Sequence, residues 1–159
     1  MNFKVISRNI GKALLVNAFF MLLSVAISVA DGYDSGFSPL LISALITLVV
    51  GFFPFIFGHE VPDVKMKEGY VIIVSAWLLS FLAGALPYIM YGGEFTVINA
   101  WYESVSGYTT TGSTVLTDIE ALPESLLFWR SSTQFIGGLG VIVFLLLIFP
   151  ESSPFKLRV

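Results

Sequence analysis

Four apolar runs of membrane-crossing length punctuate the chain, over residues 10–30, 37–57, 70–90 and 126–149. The hydrocarbon layer of a bilayer is about 30 Å thick and a helix climbs about 1.5 Å per residue, so about 20 residues make one crossing. The first two runs are separated by DGYDSG, whose Gly32, Gly36, Asp31 and Asp34 are turn-forming residues, and they read as a helical hairpin. The polar stretch GHEVPDVKMKEG with Pro62 then marks a boundary. It divides residues 1–68, a transmembrane hairpin and its loop, from residues 69–159, a span, a long polar interval and a further span. The predicted fold class is an all-α membrane protein. No internal repeat or low-complexity tract is present.

The interval between the third and fourth runs is too long to lack structure of its own. EFTVINAWYESVSG reads as a short amphipathic helix, with Thr96 as N-cap, Glu94 at its positive end and Gly107 as the left-handed residue that terminates it. From Thr96 to Ser106 it covers roughly 16 Å, about half the hydrocarbon thickness. Residues 108–113, YTTTGS, are then expected to return to the surface as an extended strand, at about 3.3 Å per residue. Non-helical backbone at that depth must be buried in protein or line a watery cavity.

Composition fits this reading. The 159 residues are 56% hydrophobic and 12% charged, and the mean hydropathy is +0.88. Lys4, Arg8 and Lys12 precede the first run, Lys65 and Lys67 follow the second, and Lys156 and Arg158 follow the fourth. The positive-inside rule makes those segments cytoplasmic, both termini included, in a multi-pass protein of the cell (inner) membrane. Asp31, Asp34, Glu94, Asp118, Glu120 and Glu124 fall on the opposite side, where only Arg130 is basic. The basic residues before the first run and Ser28-Val29-Ala30 at its end also resemble a secretory signal, but the run exceeds the usual apolar length of about 7–15 residues. The absence of cysteine excludes disulfides and thiolate metal sites.

The hydroxyls and glycines of SVSGYTTTGSTVL suit a cation path. A dehydrated cation needs oxygens in place of its water shell, and successive backbone carbonyls can supply them. Glycine lets the backbone aim those carbonyls, while threonine adds hydroxyl oxygens with little bulk. The preceding helix would direct the negative end of its dipole at the same point. The acidic residues outside would concentrate cations, an effect screened within about 10 Å at 0.1 M salt. The competing reading is a threonine-rich surface loop on a non-conducting helical protein that acts by association.

SGYTTTGST followed by FWRSSTQFIGGLG resembles, in order and spacing, the first pore unit of the Trk/Ktr/HKT superfamily of potassium transporters. The likeness covers roughly residues 70–150, and residues 1–68 would match the extra N-terminal helical pair of its TrkH branch. The resemblance implies a potassium-channel-like fold of four units, each with a span, a re-entrant pore helix, a filter loop and a span. It implies a selectivity filter at Thr109, Thr110, Thr111, Gly112 and Ser113, with K+ as the transported ion at Thr110, Thr111 and Gly112 and no organic cofactor. It further implies a homodimer and a cytoplasmic nucleotide-binding regulatory subunit, in addition to the lipid bilayer. This chain carries one unit where the family has four. Either it is the N-terminal portion of a longer protein, the preferred reading, or four copies assemble.

Glu103 reads as filter support, hydrogen-bonding behind the loop, because ionisable residues inside a membrane are functional by default. Arg130 reads as a side chain snorkelling to the headgroups or pairing with Glu124, in preference to a role in the ion path. Gly137, Gly138 and Gly140 lack the strand and spacing of a nucleotide loop and read as close helix packing or a flexible point. Asn17, Ser24 and Ser28 read as interhelical hydrogen-bonding groups, and Pro87 as a kink. His59, Glu60 and Asp63 make a poor zinc set. The sole histidine lies at the opposite edge from the serine cluster, which speaks against an intramembrane protease and any enzyme activity.

Overall fold

The computed structural model describes residues 3–56 and 66–148, with side chains as far as Ile142. Five helices follow in order: α1 (Phe3–Ala30), α2 (Phe37–Ile56), α3 (Met66–Tyr91), α4 (Val97–Tyr108) and α5 (Glu124–Ile148). No strand occurs among the described residues, and the fold is all-helical. The described parts of α1, α2 and α3 are each long and apolar enough to cross a membrane. At 25 residues α5 has the length for a fourth crossing. Its first third, with Arg130, Ser131, Ser132, Thr133 and Gln134, is more polar than the others. His59, Glu60, Pro62 and Asp63 lie outside the described residues.

Apolar side chains turn outward over much of the surface, with Val49, Phe52, Phe53 and Ile56 of α2 all more than half exposed. In water such a face would be a liability, but hydrocarbon accepts it. Lipid tails are as apolar as leucine, so the helices are held by close packing and hydrogen bonds. Gly11 and Gly51 show how α1 and α2 meet. A Cβ on Gly11 would lie 2.6 Å from the Gly51 carbonyl oxygen, an approach only glycine permits. One turn away, the Arg8 guanidinium stands 5.2 Å over the Phe55 ring.

The connection between α1 and α2 turns on Gly32 (φ 78°) and Tyr33 (φ 65°). Gly36 lies in the turn as expected and has a second use: a Cβ there would stand 2.2 Å from the Ser125 hydroxyl of α5. Room is thereby left for Asp34, which accepts bonds from the Ser28 and Ser125 hydroxyls and from the Gly36 and Ser125 N–H groups. Burial alone would raise the Asp34 pKa, but these donors together hold it below the ordinary carboxylate value.

The core lies where α4 enters the bundle. Met21 of α1, Leu40 of α2, Tyr88 of α3, Ala100 of α4 and Trp129 of α5 are essentially inaccessible there. The Trp129 indole N–H donates to the Gly84 carbonyl at 3.3 Å, joining α5 to α3.

Candidate functional site: the α4 helix and its threonine loop

α4 begins as its sequence dictates. Thr96 is extended (φ −61°, ψ 165°), and its hydroxyl accepts the Asn99 N–H at 3.2 Å. The Asn99 amide in turn donates to the Glu94 carbonyl at 2.7 Å. At 12 residues the helix is roughly 18 Å long, which spans little more than half of the hydrocarbon layer.

Its end corrects the expectation. The helix continues through Gly107 to Tyr108, and Gly107 is not left-handed. What Gly107 supplies is the absence of a side chain, since a Cβ would fall 2.2 Å from the Thr133 hydroxyl of α5. The left-handed residue is Thr110, at φ 57°. Nor does the chain return as an extended strand from Tyr108. Thr109 and Thr110 close the last turn by donating to the Val105 and Gly107 carbonyls, and the Thr111 and Gly112 N–H groups both reach back to the Ser106 carbonyl. Irregular backbone follows from Thr111 to Leu116, with Gly112 at φ 73°.

Thr109, Thr110, Thr111, Gly112 and Ser113 are all exposed. The carbonyls of Thr109, Thr110 and Thr111 accept no hydrogen bond among the described residues. The next two are taken: Arg130 Nη2 donates to the Gly112 carbonyl at 3.2 Å, and the Ser106 hydroxyl donates to the Ser113 carbonyl at 2.6 Å. The Thr109 and Thr111 hydroxyls bond each other at 2.8 Å, as do those of Tyr102 and Ser113.

Behind the loop Glu103 is 2% exposed. Its Oε1 accepts the Thr114 hydroxyl and, at 2.8 Å, the Val115 N–H. Its Oε2 stands 3.1 Å from Nη1 of Arg130, an ion pair. Arg130 therefore turns inward to Glu103 and Gly112, not outward to the headgroups or to Glu124 as its sequence position suggests. Burial explains the difference, because an uncompensated Glu103 carboxylate would be costly in this interior. The rule that ionisable groups inside a membrane pair with one another would have found this partner. Further out, Glu94 accepts the Thr117 hydroxyl at 2.7 Å and its N–H at 3.2 Å, tying the end of the loop to the start of α4.

The glycines of α5 pack closely. A Cβ on Gly137 would lie 2.0 Å from the Tyr108 carbonyl oxygen, and one on Gly140 would lie 2.9 Å from the Trp77 indole nitrogen. Gly138 is open, its nearest neighbour being the Thr110 methyl at 3.9 Å. No cluster of His, Asp or Glu suited to a metal ion occurs among the described residues.

A helical, multi-pass membrane protein in which a half-length helix delivers an irregular threonine loop between two long helices is the class these features define. The sequence profile of the family TrkH, described as a cation transport protein, matches residues 39–153, and the chain belongs to that family of cation transporters. It is 34% identical over 153 residues to the Trk system potassium uptake protein TrkH of Salmonella typhimurium, a match covering 94% of this chain and 31% of that protein. The Trk system potassium uptake protein TrkG of Escherichia coli is 43% identical over 89 residues, 55% of this chain and 18% of that one. The crystal structure of the potassium transporter TrkH from Vibrio parahaemolyticus aligns with a TM-score of 0.80 at 28% identity, over 94% of this chain and 32% of that chain. The chain thus spans about a third of the length of the TrkH relatives.

Proposed function

We propose that the chain supplies the first of four pore units in a membrane protein that takes up potassium ions through a filter lined by backbone oxygens. One observation carries this reading: three consecutive carbonyls, of Thr109, Thr110 and Thr111, have no partner among the described residues in a loop held between membrane helices. Such groups are tolerated in a bilayer only where protein, water or an ion meets them. The α4 dipole places its negative end beside them, which favours a cation.

Thr109, Thr110 and Thr111 present the ion-facing oxygens, with the Ser113 hydroxyl at the edge. Gly112 adds its left-handed turn, and its carbonyl, which accepts one bond from Arg130, keeps a second lone pair for the ion. Glu103 is the filter support, bonding the loop at Thr114 and Val115 and neutralising the arginine. The partners are three further pore units, a second copy of the whole transporter and a cytoplasmic nucleotide-binding subunit, in a cell (inner) membrane with both termini cytoplasmic. The names of the relatives as potassium uptake proteins support the choice of ion.

Rubidium uptake by potassium-uptake-deficient cells carrying the assembled transporter tests the assignment. Gly112→Asp, which places a carboxylate and a strained backbone in the loop, is expected to abolish uptake at unchanged membrane abundance. Undiminished uptake by that variant would reduce the loop to a surface connection.

A further inference from the structure

A buried side chain of the N-terminal hairpin reaches the end of α4, next to the loop. Asn17 of α1 is 1% exposed, and its Oδ1 accepts the hydroxyl of Tyr108, the last residue of α4. Its amide nitrogen donates to the Ser80 hydroxyl of α3 at 2.8 Å and to the Ala13 carbonyl of its own helix at 3.0 Å. All the principal polar capacity of the Asn17 amide is thereby directed, and the Tyr108 ring, 2% exposed, cannot swing away without breaking the set. From the other side the Gly137 backbone of α5 seats the Tyr108 carbonyl. Tyr108 is thus held at its ring by α1 and α3, and at its backbone by α5. Thr109, with the first of the unpartnered carbonyls, is bonded to it directly.

We infer that Asn17 is a positioning residue for ion discrimination: through Tyr108 it fixes where the threonine carbonyls stand, so residues outside the pore unit set the selectivity of the filter. The inference rests on the proposed filter. Size discrimination by carbonyl oxygens depends on their spacing and freedom to move. A bond that fixes the residue before them acts on discrimination more than on abundance or on the presence of a path.

The test compares rubidium with sodium uptake by the assembled transporter at matched membrane abundance. Tyr108→Phe removes one hydroxyl and leaves the ring, and Asn17→Ala removes the acceptor. Each is expected to lower the rubidium-to-sodium ratio about fivefold, the scale of one hydrogen bond. The double variant is expected to fall no further than the single ones, the signature of one shared interaction. Gly112→Ser is the control for the filter itself. An unchanged ratio in both Tyr108→Phe and Asn17→Ala, alongside a lowered ratio in Gly112→Ser, overturns the positioning role and leaves the filter standing. An unchanged ratio in Gly112→Ser overturns the filter reading and the positioning role with it. A fall in abundance with the ratio preserved makes Asn17 purely structural and also overturns the inference.

Discussion

Glu103 on α4 and Arg130 on α5 face each other at 3.1 Å behind the threonine loop, and each also holds the loop by its backbone, Glu103 at the Val115 N–H and Arg130 at the Gly112 carbonyl. Removing one member leaves the other buried and uncompensated, which costs about 3–5 kcal/mol. Glu103→Gln and Arg130→Gln are each expected to lower the thermal unfolding midpoint in detergent substantially. The double variant is expected to lose less than the sum of the two, because it buries no lone charge. A double loss equal to the sum would show that the two act independently.

Neighbouring glycines on α5 predict opposite outcomes. Gly137→Ala drives a methyl into the Tyr108 carbonyl, where the nearest atom would be 2.0 Å away, and overpacking of this kind costs about 1–3 kcal/mol. Gly138→Ala meets nothing nearer than 3.9 Å and gains helix propensity of about 0.5–1 kcal/mol. Melting midpoints of the two variants are expected to fall on either side of the parent protein.

Asp34 makes the junction of the α1–α2 connection with α5 dependent on pH. Its folded pKa is lowered, so its contribution to stability is fully present above the unfolded value of about 3.8 and is lost as pH falls through the still lower folded value. Melting midpoints measured from neutral to strongly acidic pH are expected to drop near that limit in the parent protein. In Asp34→Asn the midpoint is expected to be lower at neutral pH and flatter across the acid range.

At the crossing of α1 and α2 the two glycines are not equivalent. A methyl on Gly11 would press on the Gly51 carbonyl at 2.6 Å, whereas a methyl on Gly51 meets the Gly11 carbonyl and the movable Leu15 side chain at 3.2 Å. Gly11→Ala is expected to destabilise by about 1–3 kcal/mol and Gly51→Ala by less, in the same melting assay.

The long helices were legible in the chain because length and apolarity alone specify a crossing. α4 was legible at its start, where Thr96 caps it, and illegible at its end. Glycine serves two purposes, positive φ and close approach, and linear order does not distinguish them. Gly107 was read for the first and is used for the second against Thr133, leaving the left-handed position to Thr110. Arg130 was read outward for a related reason. Its partner Glu103 is distant in sequence and Glu124 is near, so proximity along the chain points to the wrong acid, whereas the pairing of ionisable groups inside a membrane points to Glu103. Asn17 was rightly read as an interhelical bonding group, although nothing in its neighbourhood names Tyr108 as its partner.

The junction of Asp34 with Ser125 carries a consequence for biogenesis. These residues are 91 positions apart, and at about 5–20 residues per second a ribosome needs roughly 5–18 s to travel between them. Until α5 emerges the aspartate has only its local donors, the Ser28 hydroxyl and the Gly36 N–H, and lacks the two from Ser125. Closure of that contact joins the first pair of helices to α5.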